Sequence, residues 1–298
     1  MTAAVQIREL ERIATFTALG LRFWDGDFAR VVNDGMIATA RVWGRPNDKP
    51  VIAVRTFSGA LTFQGLPGLR TVENQGPDAP LPPPPTRRFL VEVADQKRRY
   101  ASMAFGVELP LPYRGPYVGP TLPSPPPPGF MVVTGPERPR DPALARVTGE
   151  VALAATGAPA AWAMVSVTDP QANVWNGLAD AGGRFSVVLP WPTLDEIDPE
   201  APAPGAANPL SHRSCPATTA IRASQTPLSP ITSSGIPDYA SVLAQPATNI
   251  WSAPPTDPSP PSPTPSLAAD LRVGETLVLR SGPSSSRLFV GAAPPSSP

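Results

Sequence analysis

The chain has one cysteine, Cys215, one histidine, His212, and two lysines, Lys49 and Lys97. A lone cysteine excludes an internal disulfide and implies no oxidising compartment. A lone histidine, lying outside the segments that read as folded, removes Ser-His-Asp and Cys-His arrangements from them. His212 and Cys215 stand three apart, but two ligands fall short of the four a zinc site wants. Charge is scarce as well: 16% of residues are charged and the formal net charge is +0, so nothing draws the molecule as a whole to nucleic acid or anionic lipid. No run approaches the ~18 apolar residues of a membrane span. Arg8, Glu9, Glu11 and Arg12 interrupt the first segment where a signal peptide would be apolar, so the expected address is the cytoplasm, with no membrane insertion.

Motifs for chemistry are missing too. The sequence holds no glycine-rich phosphate loop, dinucleotide fingerprint or nucleophile elbow. Asp195, Glu196, Asp198 and Glu200 form an acidic run that reads as a solvated stretch. Tyr113-Arg114-Gly115 matches the terminal tripeptide of transthyretin-like hydroxyisourate hydrolases, but here it sits mid-chain and without their histidines. The expectation is a protein that is not an enzyme, with no cofactor, no metal and no catalytic residue.

What the chain does have is proline, 45 residues of it, far above the roughly 5% of an average protein. Interior proline breaks helices, and the segments between prolines alternate with period two and are rich in β-branched and aromatic residues. Strands are expected near 19–24, 37–43, 51–56, 60–63, 89–93 and 105–109, with Asn33-Asp34-Gly35, Pro46-Asn47-Asp48 and Ser58-Gly59 as turns. A second group is expected at 147–154, 163–168, 174–179 and 184–189, then a hairpin of 271–280 with 287–290. The fold class that follows is all-β: two Ig-like or prealbumin-like β-sandwiches with a proline-rich linker and an extended C-terminal segment. The expected boundaries are an N-terminal arm at 1–15, a first sandwich at 16–109 interrupted by a polyproline loop at 80–85, and a linker acting as a semi-rigid spacer at 110–145. A second sandwich is expected at 146–191 plus 269–291. Between its parts lies a proline-rich excursion at 192–268, holding one short helix at 237–244, and residues 292–298 form a tail.

Large side chains in proline-rich sequence are the candidates for contacts with other proteins. They are Tyr113, Arg114, Tyr117, Trp191 and Trp251, because aromatic and arginine side chains anchor interfaces and a stiff backbone loses little entropy on docking. Trp24, Trp43 and Trp162 lie in or beside strands and are expected at the core or its edge.

Residues 148–190 carry Gly149 and Val151, then Gly157-x-Pro159 with Ala163, Val165 and Val167, then Ala179-Asp180 with Gly183-x-Phe185-x-Val187. This stretch resembles the carboxypeptidase regulatory-like family, a prealbumin-type sandwich. A wider resemblance rests on 21–25, 58–70, 109–117, 177–192 and 242–251. These stretches look like proteins carrying such domains that are encoded with phage-tail-like contractile injection systems. The resemblance implies a structural or accessory subunit near the cap or baseplate. Its partners would be cap, sheath/tube terminator or baseplate subunits, and it would stand in several symmetric copies in a particle assembled in the cytoplasm and able to leave the cell. A surface adhesin or carbohydrate-binding module is the other reading; tryptophans sharing one sandwich face would be its signature.

Overall fold

In the computed structural model the described residues are 17–32, 34–74, 86–119, 129–191, 214–256 and 262–291. The molecule is all-β. The N-terminal half contains β1 (Leu19–Leu21), β2 (Phe23–Asp25), β3 (Arg30–Val32), β4 (Met36–Val42), β5 (Val51–Ile52), β6 (Val54–Arg55) and β7 (Leu61–Phe63). After a single helical turn, α1 (Arg70–Glu73), come β8 (Arg87–Asp95), β9 (Met103–Leu109) and β10 (Phe130–Val132). Three sheets form, ordered β1-β7-β6, β10-β2-β3 and β5-β4-β8-β9. Their apolar faces meet in one core that includes Leu19, Leu21, Phe23, Phe63, Phe89, Phe105 and Phe130. Period-two burial is clear in β4, where Met36, Ala38 and Ala40 point inward.

The run expected as one strand at 19–24 breaks at exposed Arg22, so β1 joins β7 while β2 joins β3 and β10. The break frees the Arg22 carbonyl to accept from Phe130 N at 2.7 Å. That bond draws in residues expected to be spacer. Correcting the 110–145 linker, Leu111 and Phe130 to Val133 are buried in the first core, and the Tyr117 ring stacks on Phe105 at 5.1 Å. The polyproline loop at 80–85, the N-terminal arm and the tail lie outside the described residues.

The C-terminal half contains β11 (Leu144–Leu153), β12 (Met164–Thr168), β13 (Val174–Leu178), β14 (Arg184–Pro190) and β15 (Ser214–Arg222). After α2 (Tyr239–Leu243) come β16 (Ala247–Ile250), β17 (Leu267–Arg272), β18 (Thr276–Leu279) and β19 (Leu288–Gly291). These strands make one curled nine-stranded sheet, β13-β12-β15-β16-β19-β11-β14, with β17 on β15 and β18 on β11. It closes over a second core that includes Val147, Val165, Phe185, Val187, Ile221 and Leu288. The β13–β14 turn needs its glycine: Gly183 has φ +80°, and a Cβ there would sit 2.3 Å from the Val151 carbonyl oxygen.

Two expectations are overturned in this half. The final segments are not a hairpin of 271–280 with 287–290. Instead β17 pairs antiparallel with β15, while β18 and β19 lie end to end, both parallel to β11. Nor is 192–268 an excursion throughout. Residues 214–222 are a nine-residue strand inside the sheet, with Cys215, Ala217, Thr219 and Ile221 inward. Residues 247–250 form another strand, β16, between β15 and β19. Pro216 fits because β12 pairs only with the stretch from Thr218 to Arg222, so at Pro216 one edge of β15 is free of that ladder.

Candidate functional site at the junction of the two sandwiches

The two halves are interlocked rather than strung on a linker. From β15 the chain crosses back, and α2 inserts into the first core: Tyr239, Val242 and Leu243 are buried there beside Phe130, whose ring centroid lies 5.1 Å from that of Tyr239. The Tyr239 hydroxyl donates to the Met131 carbonyl at 3.2 Å. Gln245 locks the end of α2. Its Nε2 donates to the carbonyls of Trp162 (2.6 Å) and Val242 (3.1 Å), and its Oε1 accepts from Ser224 N at 2.8 Å. Met164 of β12 and Leu178 of β13 complete the first core from the second half, and Leu178 N donates to the Thr134 carbonyl at 2.9 Å.

A polar cluster lies at this seam. The buried Asp25 carboxylate accepts from the Tyr100 hydroxyl at 2.7 Å and Phe28 N at 3.2 Å, with Arg30 Nε at 3.5 Å. Burial first, and the Asp25 charge second, push the Tyr100 phenol well above its ordinary range. Asp27, in the turn between β2 and β3, reaches across to β13 and accepts from Asn176 N at 3.1 and 3.2 Å and from Asn176 Nδ2 at 3.3 Å. Burial, with nearby Asp25 adding to it, pushes the Asp27 carboxyl up to about 7. The buried Arg138 donates to Thr134 Oγ1 at 3.1 Å and lies 5.4 Å from the Phe28 ring; burial lowers its pKa. Phe28 in turn meets Trp175 of β13 at 5.5 Å.

Beside the cluster is a cleft of about 220 Å³ lined by Asp95, Arg98, Ser102, Glu137, Trp162 and Asp180, among others. Its carboxylates are already engaged. Asp95 pairs with Arg99 at 2.9 Å, Glu137 with Arg98 at 3.7 Å and Asp180 with Arg184 at 2.7 Å. Burial raises the Asp95 pKa, but hydrogen bonds from the Arg99 side chain and from the backbone of Arg99 and Lys97 outweigh it and hold the group low. Among the described residues no group of three or more His, Cys, Asp or Glu is placed to hold a metal. The Cys215 thiol is buried against the Leu271 carbonyl at 3.7 Å, and burial raises its pKa. His212 and the acidic run at 195–200 lie outside the described residues.

No family model matches the chain. No curated protein matches it either. Among solved structures, a single and a double mutant of shaft pilin SpaA from Lactobacillus rhamnosus GG align at 9% and 11% identity. These alignments cover 93% and 94% of this chain and 98% and 99% of theirs, with TM-scores of 0.22 and 0.21. Likeness at that level says nothing about what this chain does.

The five expected partner contacts divide into two groups. Tyr113 and Arg114 are exposed on the loop after β9, whose shape is fixed by the Val118 N–H donating to the Tyr113 hydroxyl at 3.1 Å. Tyr117 and Trp191 are packed on their own molecule, and Trp251 is bonded to it through its backbone. Tyr117 lies on the first core, and Trp191 packs against the second core with its Nε1 3.4 Å from the Pro142 carbonyl. Trp251 is tied to β19, since its N–H donates to the Phe289 carbonyl at 3.0 Å and its own carbonyl accepts from the Ser281 hydroxyl. The other tryptophans are spread over separate elements: Trp24 is half-buried in β2, Trp43 lies under the Arg88 guanidinium at 3.8 Å, Trp162 on the first core and Trp175 against Phe28. Asp27, Asn176 and Tyr239 were not singled out by sequence reasoning. Asp25-Gly26-Asp27 reads as a turn, and nothing local says that the turn faces another domain.

Proposed function

We propose that the chain is a non-enzymatic structural subunit of a phage-tail-like contractile injection particle, placed in several symmetric copies near the cap or baseplate. The observation that carries this reading is the interlock. Two sandwiches joined by α2, by the Asp27–Asn176 contact and by a shared core make one stiff body, which suits a part that must hold its neighbours at fixed spacing. The sequence resemblance supplies the particle. Neighbours are held through exposed points: Tyr113 and Arg114 on the fixed loop after β9, and the β6–β7 tip, where Phe57 is fully exposed near exposed Ile52 and Val54. Sedimentation of lysate from cells that make the particle tests this reading. The chain is expected to pellet with sheath and tube proteins. Tyr113→Ala should reduce co-pelleting several-fold, while loss of the Val118 bond to its hydroxyl should cost only about 0.5–1.5 kcal/mol of stability. A chain that stays in the supernatant, or fractionates with the envelope, overturns the proposal.

A further inference from the structure

We infer that the outer sheet face of the first sandwich, centred on Ile52 and Val54, is where two copies of this chain pack together. Residues 51–55 run as one line between two strands. On one side Ile52 lies opposite Thr39 of β4, and Ala53 N donates to the Ala38 carbonyl at 2.9 Å. On the other side Val54 lies opposite Thr62 of β7. The line is held from both sides, so what it offers a neighbour is a face rather than an edge. Val51 and Ala53 turn inward onto the first core, and alternation turns Ile52 and Val54 outward, where they are 64% and 57% exposed. Half-buried Ile37 and Thr39 of β4 and Thr62 of β7 flank them. Among the described residues no free charge stands on this row of β-branched side chains: Arg41 at its border is paired with Glu92, and Arg55 turns to the Met36 carbonyl at 3.4 Å. Just past the row, Phe57 is fully exposed at the β6–β7 tip. The tip is fixed, because Thr56 N donates to the Ala60 carbonyl at 2.8 Å and Gly59 N to the Thr56 carbonyl at 3.0 Å.

Charge and shape decide what covers the face. Nucleic acid or an anionic lipid surface needs lysines or arginines free to meet it, and this row has none. A different protein is selected largely by complementary charge, and here there is none to select with. A second copy needs neither, since an uncharged face is complementary to itself. Two sheets pack face to face about 10 Å apart by interdigitating such side chains. A two-fold pair is also the commonest closed arrangement of identical chains, and it lets each Phe57, which overhangs its own sheet, lie against the other copy.

The pairing deepens the function proposed above and rests on its use of the β6–β7 tip as a contact, naming the neighbour that the tip meets. It is tested on the purified full chain with no particle present, so a chain that stays single overturns the pairing and leaves the particle reading to its own sedimentation test. Sedimentation equilibrium of the natural chain should show a monomer–dimer equilibrium with a dissociation constant on the order of micromolar. Val54→Lys places a charge in a two-fold interface twice and should weaken association at least about tenfold. Phe57→Ser, which lies outside the strands, should weaken it as well and decides the matter if Val54→Lys does not fold. Val278→Lys is the matched control: Val278 is also 57% exposed but lies on β18 of the second sandwich, and its replacement should leave association unchanged. A natural chain that remains monomeric up to its solubility limit overturns the pairing. So does association that survives the folded Val54 and Phe57 variants, or that is lost equally with Val278→Lys.

Discussion

Tyr239→Ala is expected to destabilise the protein by about 3–5 kcal/mol, the range for removing a large buried aromatic, with the damage centred on the first sandwich. Tyr239 is fully enclosed by that sandwich, ring against Phe130, although its hydroxyl partner Met131 lies 108 residues upstream. Removing the ring opens a cavity bordered by β10 and β9 that a five-residue helix cannot collapse to fill. Tyr239→Phe keeps the ring and gives up only the bond to the Met131 carbonyl, so it should cost about 0.5–1.5 kcal/mol. Denaturant unfolding measures both. Amide exchange then locates the loss, which should appear in β9 and β10. An alanine variant as stable as the natural chain would mean that α2 merely rests on the first sandwich.

Truncation after Pro265 is expected to have a larger effect and to abolish cooperative folding of the second sandwich. It removes β17, β18 and β19, and with them both parallel partners of β11 and the buried side chains of Leu271, Leu279, Leu288 and Val290. Four buried apolar residues at about 2–5 kcal/mol each are comparable to the whole of the roughly 5–15 kcal/mol by which a domain of this kind is stable. The first sandwich should suffer as well, because Met164, Leu178 and the residues of α2 in its core hang from the damaged sheet. Limited proteolysis should cut the truncated chain throughout residues 144–250 and lower the melting temperature of what remains. A first half that melts unchanged would show that the two cores are energetically separate.

Strand positions were largely legible because alternation is local. The inward Met36, Ala38 and Ala40 of β4 and the inward Phe185, Val187 and Leu189 of β14 can be read from a few residues. β15 was hidden by its composition: Cys215, Ala217 and Thr219 are too small or polar to declare an inward face, and Pro216 argues against a sheet strand. β10 was hidden by the prolines that precede it. The interlock could not be read at all, since Tyr239 on a short helix looks the same whether it meets its own sheet or another. Likewise nothing near Asp27 in sequence says that Asn176 lies opposite it; burial and the neighbouring Asp25 charge raise its carboxyl pKa, and the Asn176 bonds act against that shift. Of the expected anchors, Tyr113 and Arg114 keep the exposure that an interface requires. Trp191 packs on its own second sandwich, and the backbone of Trp251 is bonded into the same sandwich.

Electron microscopy of intact contractile injection particles carrying a tag on this chain would show whether the chain is a subunit of the particle. Tag density is expected at one end of the particle, cap or baseplate, repeated with the particle's symmetry and attached to a rigid two-lobed body. Particles without the tag, purified from cells in which the tagged chain is abundant and folded, would contradict it.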